Sequence, residues 1–482
     1  MQYAAIQRII GLLLILFSSS QLPPVVVGLI YGGEAVLPFV SAFGVILAAG
    51  LMIWLPVRNC RSDLRTRDGF LVVALFWIVL SLFAAVPFLV WDNPQFTVAN
   101  AVFEATSGLT TTGSTVLTGL DEMPHSILFY RQQLQWMGGM GIIVLAVAIL
   151  PMLGIGGMQL YRAELAGPMK ENKLTPRIAE TAKALWYIYL TLTVAAGLAF
   201  WLAGMTPFDA VGHAFSTVAI GGFSTHDASM GHFGPAVQFI AVFFMLLAGI
   251  NFTLHFVAWR GRSLRGYLRD TECVAFLGYM AVLAAIVIGY LLWRGHYGSP
   301  FEAVQHGLFQ AVSIGSTAGF ATDDFVYWPG FLPVLLIFAS FIGASGGSTG
   351  GGMKVMRVVL LVLQGVRELK RLAHPNAQVP VKMGGRSIPP RIIDAVWGFF
   401  AAYVASFVVI MLLLMATGVD QVTAFSAVAA TINNLGPGLG DVSDHFDNLA
   451  DGAKWLLAFT MILGRLEIFS LLLLFTPWFW RR

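Results

Sequence analysis

The sequence predicts an all-α polytopic membrane protein in which four weakly similar span–half-helix–turn–span units surround one central pore, preceded by two N-terminal spans. Three observations predict it. Hydrophobic residues make up 57% of the 482 positions and charged residues 11%, where soluble domains carry roughly a quarter charged. Apolar runs near the ~20 residues that a bilayer requires recur along the chain. Four connecting stretches, finally, align with one another.

Spans are expected near residues 5 to 30, 35 to 57, 69 to 92, 126 to 152, 180 to 204, 234 to 259, 271 to 293, 330 to 363, 392 to 417 and 452 to 480. The first continues past Gly11 to Val27 with no small-residue cleavage pattern, so it reads as a retained span and not a signal peptide. Alternate connections are basic: Arg58, Arg61, Arg65 and Arg67; Arg162, Lys170, Lys173, Arg177 and Lys183; Arg260, Arg262, Arg265 and Arg269; the stretch from Arg367 to Arg391; and Arg481 with Arg482 at the end. The positive-inside rule places all of these in the cytoplasm, with both termini. Cys60 and Cys273 lie beside such loops, which supports neither a disulfide nor a cysteine metal site.

The opposite connections carry the repeat. NAVFEATSGLTTTGST from Asn100, DAVGHAFSTVAIGGFST from Asp209, HGLFQAVSIGSTAGFAT from His306 and TAFSAVAATINNLGPGL from Thr423 each begin as an amphipathic or apolar half-helix and end in a glycine turn. Ser107, Ser216 and Ser313 fall at matching places, with Ala430 in the fourth copy, and Gly113, Gly222, Gly319 and Gly436 align at intervals of 109, 97 and 117 residues. The expected division is residues 1–60 for the two N-terminal spans, then 68–160, 178–262, 270–372 and 390–482 for the four units.

Non-helical backbone at membrane depth is tolerated only where it is buried or lines a water-filled cavity. Four re-entrant turns therefore imply a pore. Glycine permits the dihedrals that aim carbonyl oxygens inward, and a ring of carbonyls can replace the hydration shell of a potassium ion. Half-helix C-termini, carrying negative partial charge, favour a cation without any acidic ring.

The motifs TTTGST, AIGGFST, STAGFAT and NNLGPGL, followed by GGSTGGGMK and LGRLEIF, resemble the TrkH proteins of the Trk/Ktr/HKT potassium-transport superfamily over essentially the whole chain. The resemblance implies a pseudo-fourfold pore within one chain, usually a homodimer, carrying potassium inward across a bacterial inner membrane. It implies backbone carbonyl ligands from Thr111, Thr112 and Gly113; Ile220, Gly221 and Gly222; Thr317, Ala318 and Gly319; and Asn434, Leu435 and Gly436. Glycine at 113, where sodium-permeable relatives carry serine, favours potassium. Asn433 and Asn434 before Gly436 and Pro437 after it make exact fourfold geometry doubtful.

The run ASGGSTGGGMK, residues 344–354, interrupts the third unit's closing span. Each glycine costs a helix about 1 kcal/mol relative to alanine, so a loop is expected. Such a loop beneath the turns would obstruct the pore, and the resemblance reads it as an intramembrane gate: Gly346, Gly347, Ser348, Thr349, Gly350, Gly351, Gly352 and Lys354. A nucleotide-binding P-loop fails, because Met353 separates Gly352 from Lys354 and no Ser or Thr follows. A glycine face for helix packing is the plain alternative. Arg465, deep in the last span, needs a partner. Glu467 is off its helical face, so the loop's carbonyls, water or an ion pair with another span are the candidates.

His226, Asp227, Asp323, Asp324 and Asp441 read as an acidic outer mouth and not as a metal site, and potassium at the carbonyl turns is the metal expected. Gly138, Gly139 and Gly141 read as helix packing. The stretch 367–391 reads as a cytoplasmic loop near anionic lipid, or as a dock for the TrkA-like nucleotide-binding ring that the resemblance implies. ATP, ADP or NAD would then sit on that partner, and this chain carries no covalent cofactor and binds no nucleic acid. No nucleophile–base pair or HExxH appears, so an enzyme is not expected. The alternative to a pore is a secondary transporter coupling potassium to sodium or protons. Glu467 is the one membrane-buried carboxylate that the sequence offers as a proton relay.

Overall fold

A computed structural model describes residues 1–33, 35–60, 65–144 and 178–481. The basic connection with Arg162, Lys170, Lys173 and Arg177, the end of the fourth expected span, Arg61 and Arg482 lie outside the described residues. The chain is almost entirely helical. Helices α1 (Tyr3–Ser18) and α2 (Leu22–Ile30) form one N-terminal span of 28 residues that packs along α3 (Val36–Trp54). These two spans lie against the long helices of the first unit that follows.

Each unit enters with a long apolar helix: α4 (Thr66–Ala84) continued by α5 (Val86–Val90), α8 (Ile178–Leu202), α13 (Thr271–Arg294) and α17 (Pro390–Met415). The half-helices follow as α6 (Val98–Leu109), α9 (Pro207–Ala219), α14 (Pro300–Gly315) and α18 (Gln421–Ile432). Each starts on a side chain that accepts from the first turn's N–H groups: Thr97 from Asn100, Thr206 from Asp209, Ser299 from Glu302, and Asp420 from Val422 and Thr423. These caps satisfy donors that a helix cannot satisfy itself. Small residues such as Ala101, Ala105, Ala214, Ala311, Ala427 and Ala430 let spans close around them, so the half-helices are buried along most of their length.

The closing helices are α7 (His125–Val144), α10 (Pro235–Gly249) with α11 (Phe252–Gly261), α15 (Leu332–Ile342) with α16 (Val355–Ala373), and α19 (Asp451–Arg465) with α20 (Phe469–Leu472). Helix α12 (Arg265–Arg269) links the second unit to the third, and α21 (Pro477–Trp480) ends the fold. Every half-helix packs against both long helices of its own unit and against the closing helix of the unit before it: α9 on α7, α14 on α10, α18 on α15 and α6 on α19. The fourth unit thus meets the first, and the ring closes.

Six described helices are long and apolar enough to cross a membrane, or up to eight if each bent pair is one span. The stretches 234–259 and 452–480 are expected as continuous spans, and both are bent instead, by 93° and 108°. In the first, the Asn251 side chain accepts from Thr253 N and starts a new helix after extended Ile250. In the second, Glu467 and Ile468 adopt left-handed φ of 54° and 59°, which no α-helix can continue. Within the described residues, three of the four closing helices are therefore broken, where the sequence expects a break only at 344–354.

The stretch from Arg367 to Arg391 is more ordered than the loop it is expected to be. Strands β1 (Lys382–Met383) and β2 (Arg386–Ser387) form a small antiparallel ribbon. Buried Val381 and Met383 pack it onto Met356 and Leu360 of α16 and Ile393 of α17.

Candidate ion pathway

The four turns share one backbone conformation. The residue one or two positions past each half-helix end is left-handed, Thr111, Ile220, Thr317 and Asn434 having φ of 52°, 53°, 68° and 52°. Two residues on, Gly113, Gly222, Gly319 and Gly436 have φ of 85°, 80°, 80° and 109°. Each turn also makes the same pair of helix-closing bonds: Thr112 N to Ser107 O, Gly221 N to Ser216 O, Ala318 N to Ser313 O and Leu435 N to Ala430 O, at 2.7–2.9 Å, form the wider of the two. The narrower runs from Thr111 N to Gly108 O, Ile220 N to Thr217 O, Thr317 N to Ile314 O and Asn434 N to Thr431 O, at 3.0–3.2 Å. This is the Schellman ending of a helix, in which a left-handed residue reverses the chain. The fourth turn, where Pro437 makes a departure expected, follows the same alternation.

The turns abut in a closed order. A Cβ added to Gly113 would collide with the carbonyl oxygen of Gly221, one on Gly222 with that of Ala318, and one on Gly319 with that of Leu435. One on Gly436 would stand 3.0 Å from the carbonyl oxygen of Thr112. The space in which each side chain would project is thus occupied by the neighbouring turn's carbonyl. No turn residue is charged. Converging half-helix C-termini and clustered carbonyls make the centre attractive to a cation.

Buried polar side chains brace the ring from behind. Asn434 Nδ2 donates to Thr112 Oγ1 (2.9 Å) and Ser114 Oγ to Gly436 O (2.7 Å), joining the fourth turn to the first. Gln135 of α7 donates to Gly221 O at 2.5 Å and accepts from Phe223 N at 3.1 Å. Arg131, also on α7, pairs through Nε with fully buried Glu104 at 2.7 Å, lies over the Phe223 ring at 4.2 Å, and donates to Ser224 O and Thr115 Oγ1. Arg131 and Gln135 are not among the residues that the sequence analysis singles out, although the polar run RQQLQ inside an apolar stretch is a visible signal.

The glycine run is a loop, and it lies directly against the turns. Thr349 Oγ1 donates to Val218 O of α9 (2.9 Å), Gly351 N to Thr317 Oγ1 (2.7 Å) and Gly352 N to Asn433 O (3.0 Å). A Cβ on Gly351 would collide with Asn433 O, so only glycine permits this approach. The other half of the loop is anchored away from the turns. Ser345 N donates to Gly249 O (3.0 Å), Gly346 N to Glu272 Oε1 (2.6 Å), and Phe252 N to Gly347 O (3.0 Å), while Ser348 bonds back to Ser345 O. Arg465 Nη1 donates to Thr349 O at 3.0 Å. Lys354 Nζ donates to Gly350 O, so its ammonium is tied to the loop itself.

Two expectations about carboxylates change. Glu467, expected as the buried proton-relay candidate, is partly exposed and pairs with Arg357. Glu104 and Glu272 are the deeply buried glutamates among the described residues, at 0% and 3% exposure, one held by a guanidinium and the other by the glycine loop. Sequence alone could not rank these three glutamates, because burial was set by which helices pack together. The expected acidic mouth is only partly open. Asp227 accepts from Gly119 N and Leu120 N (3.1 and 2.9 Å), and Asp323 from Tyr297 and Trp328. Burial raises the Asp323 pKa, but the bonds from Tyr297 and Trp328 outweigh it and hold the carboxyl below its usual range. Burial and nearby Asp444 push Asp324 up.

A family model described as TrkH, cation transport protein, matches residues 38–481. Over their full lengths, the chain is 60% identical to the Trk system potassium uptake protein TrkH of Vibrio parahaemolyticus and 56% identical to that of Escherichia coli K12. The crystal structure of the potassium transporter TrkH from Vibrio parahaemolyticus superposes with a TM-score of 0.93 at 58% identity, covering 100% of both chains.

Proposed function

The chain belongs to the TrkH family of cation transport proteins, and from that premise we propose that it takes up potassium through a selective, gated pore in the inner membrane of a bacterium. The observation that carries this reading is the closed order of the four turns, in which every glycine faces the next turn's carbonyl oxygen. Carbonyls of Thr111, Thr112 and Gly113, and of their counterparts at 220–222, 317–319 and 434–436, stand in for water around a dehydrated potassium ion. The membrane potential drives the ion inward by about 2.3 kcal/mol per 100 mV. No step of covalent chemistry is needed, and the chain is not an enzyme.

Transport stops when residues 349–352 lie against the turns, held by Thr317, Asn433 and Val218 and by the guanidinium of Arg465. Opening requires the loop to exchange these bonds for others or for water. The continuous attachment of the loop to α16, and of α16 to the basic ribbon, offers a lever to a cytosolic nucleotide-binding ring of the TrkA kind acting on a homodimer. Both termini and the basic loops face that ring.

The test uses the purified chain in liposomes loaded with potassium chloride under an outward potassium gradient, with flux followed by proton-dye quenching, with and without sodium, for wild type and Gly113→Ser. Flux with potassium alone, and sodium entry in the variant, is the expected result. Flux that demands sodium or a pH gradient whatever the potential would replace the pore with a coupled transporter.

A further inference from the structure

The loops that follow the first and second turns meet at one place, and two histidines and a carboxylate converge there. His226 Nδ1 is hydrogen-bonded to Asp121 Oδ1, and the rings of His226 and His232 stack with centroids 3.6 Å apart and planes 4° apart. One ligand atom from each of Asp121, His226 and His232 lies within 4.8 Å of the others. The loops that carry them are laced together: Asp227 accepts from Gly119 N and Leu120 N, and Asp227 N donates to Asp121 Oδ2 at 3.3 Å. The loops of Asp121 and His226 are therefore held together by bonds that do not involve the imidazole nitrogens, and His232 joins them through the ring stack.

The two nitrogens of His226 face different groups, Nδ1 towards Asp121 and Nε2 towards Asp209. The Nε2 atom of His226 is buried and has no hydrogen-bond partner among the described residues. Its nearest carboxylate oxygen, Asp209 Oδ1, is 3.6 Å away and already accepts from Thr225 Oγ1 at 2.7 Å. Nδ1 is therefore the His226 nitrogen that can share an ion with Asp121 and His232, in place of its hydrogen bond to Asp121. Asp121, by contrast, is half exposed, so an ion can enter and complete its coordination with water.

We propose that Asp121, His226 and His232 bind a divalent transition-metal ion of the zinc class. Two imidazole nitrogens and one carboxylate suit zinc, nickel or copper and are a poor set for calcium or magnesium, which take oxygen ligands. Bonds of ~2.0–2.2 Å span ligand atoms up to about 4.2 Å apart, so modest side-chain rotations close the set. No zinc-like spacing is visible in the sequence because Asp121 and His226 are 105 residues apart. A doubly charged ion beside the turns would repel an approaching monovalent cation and slow its entry. That consequence rests on the potassium-uptake reading, whereas the binding does not.

Isothermal titration of the purified full-length chain with zinc chloride tests the binding, with calcium chloride as the comparison, for wild type, His232→Ala and Asp121→Asn. The expected result is one zinc per chain, no saturable calcium binding, and at least a tenfold loss of zinc affinity in either variant that elutes as wild type does. A cobalt(II) ligand-field absorption lost in the same variants identifies the ligands independently. Absence of saturable zinc binding to wild type, or unchanged affinity in both variants, overturns the site. In rubidium uptake by liposomes, zinc should slow wild type and not His232→Ala. Zinc binding without slowing leaves the site standing and overturns only its effect on uptake.

Discussion

Arg465, at the last position of α19, donates from Nη1 to the carbonyl oxygen of Thr349 at 3.0 Å, and Thr349 in turn donates from Oγ1 to Val218 O on α9 at 2.9 Å. One guanidinium on the fourth unit therefore holds a loop of the third unit against a half-helix of the second. A charge at this depth is costly unless bonded, so its attachment to the loop ties the resting state to a specific geometry. Arg465→Gln keeps a polar amide donor but shortens the side chain and removes the charge. We expect several-fold higher rubidium flux in liposomes without any regulatory partner. Flux equal to wild type would show that the bond to Thr349 O does not restrain the loop.

The pair of Glu104 and Arg131 supports the first two turns from behind, and both partners are at most 1% exposed. Breaking a buried ion pair by removing one partner costs about 3–5 kcal/mol, because the other charge is left uncompensated, whereas apolar replacement of both is far milder. Glu104→Gln should lower the melting temperature in detergent more than Glu104→Met combined with Arg131→Leu. The reverse order would mean that the pair contributes net stability of its own.

Much of this fold was legible before any coordinates. Thr97, Thr206, Ser299 and Asp420 are ordinary N-caps placed two to three residues before an N–H they satisfy, and the aligned glycines marked the turns at local resolution. Asn251 inside an apolar run also signalled a helix start, and it was passed over. The bend at Glu467 and Ile468 was not legible, because non-glycine residues adopt left-handed backbone only when their surroundings impose it. The bracing of Gly221 by Gln135, 86 residues away, likewise depends on helix packing that no local pattern encodes.

Asp323 gives a pH dependence with a definite sign. Its folded pKa lies below its ordinary value, since the bonds from Tyr297 and Trp328 outweigh burial. A depressed carboxyl contributes stability that is present above its unfolded pKa of ~3.9 and is lost as pH falls through the folded value. The melting-temperature difference between wild type and Asp323→Asn should therefore be full near neutrality and shrink below about pH 4. A difference that stays constant through that range would assign the effect to packing and not to the charge.

Glycine substitutions separate contact from helix propensity. A methyl group on Gly351 would collide with Asn433 O, where the loop meets the fourth turn, so Gly351→Ala must push the loop away from the turns or distort them. Gly365, inside α16, has open space around the same position, and there alanine should stabilise the helix by about 0.5–1 kcal/mol. The expected outcome is raised flux without a regulator, or loss of the folded chain, for Gly351→Ala, and a slightly higher melting temperature with unchanged flux for Gly365→Ala. If Gly351→Ala behaves as Gly365→Ala does in both flux and melting, the loop is not seated against Asn433 when the pore is shut. The obstruction would then have to be sought at the bends after Gly249 and Arg465, where two other closing helices break.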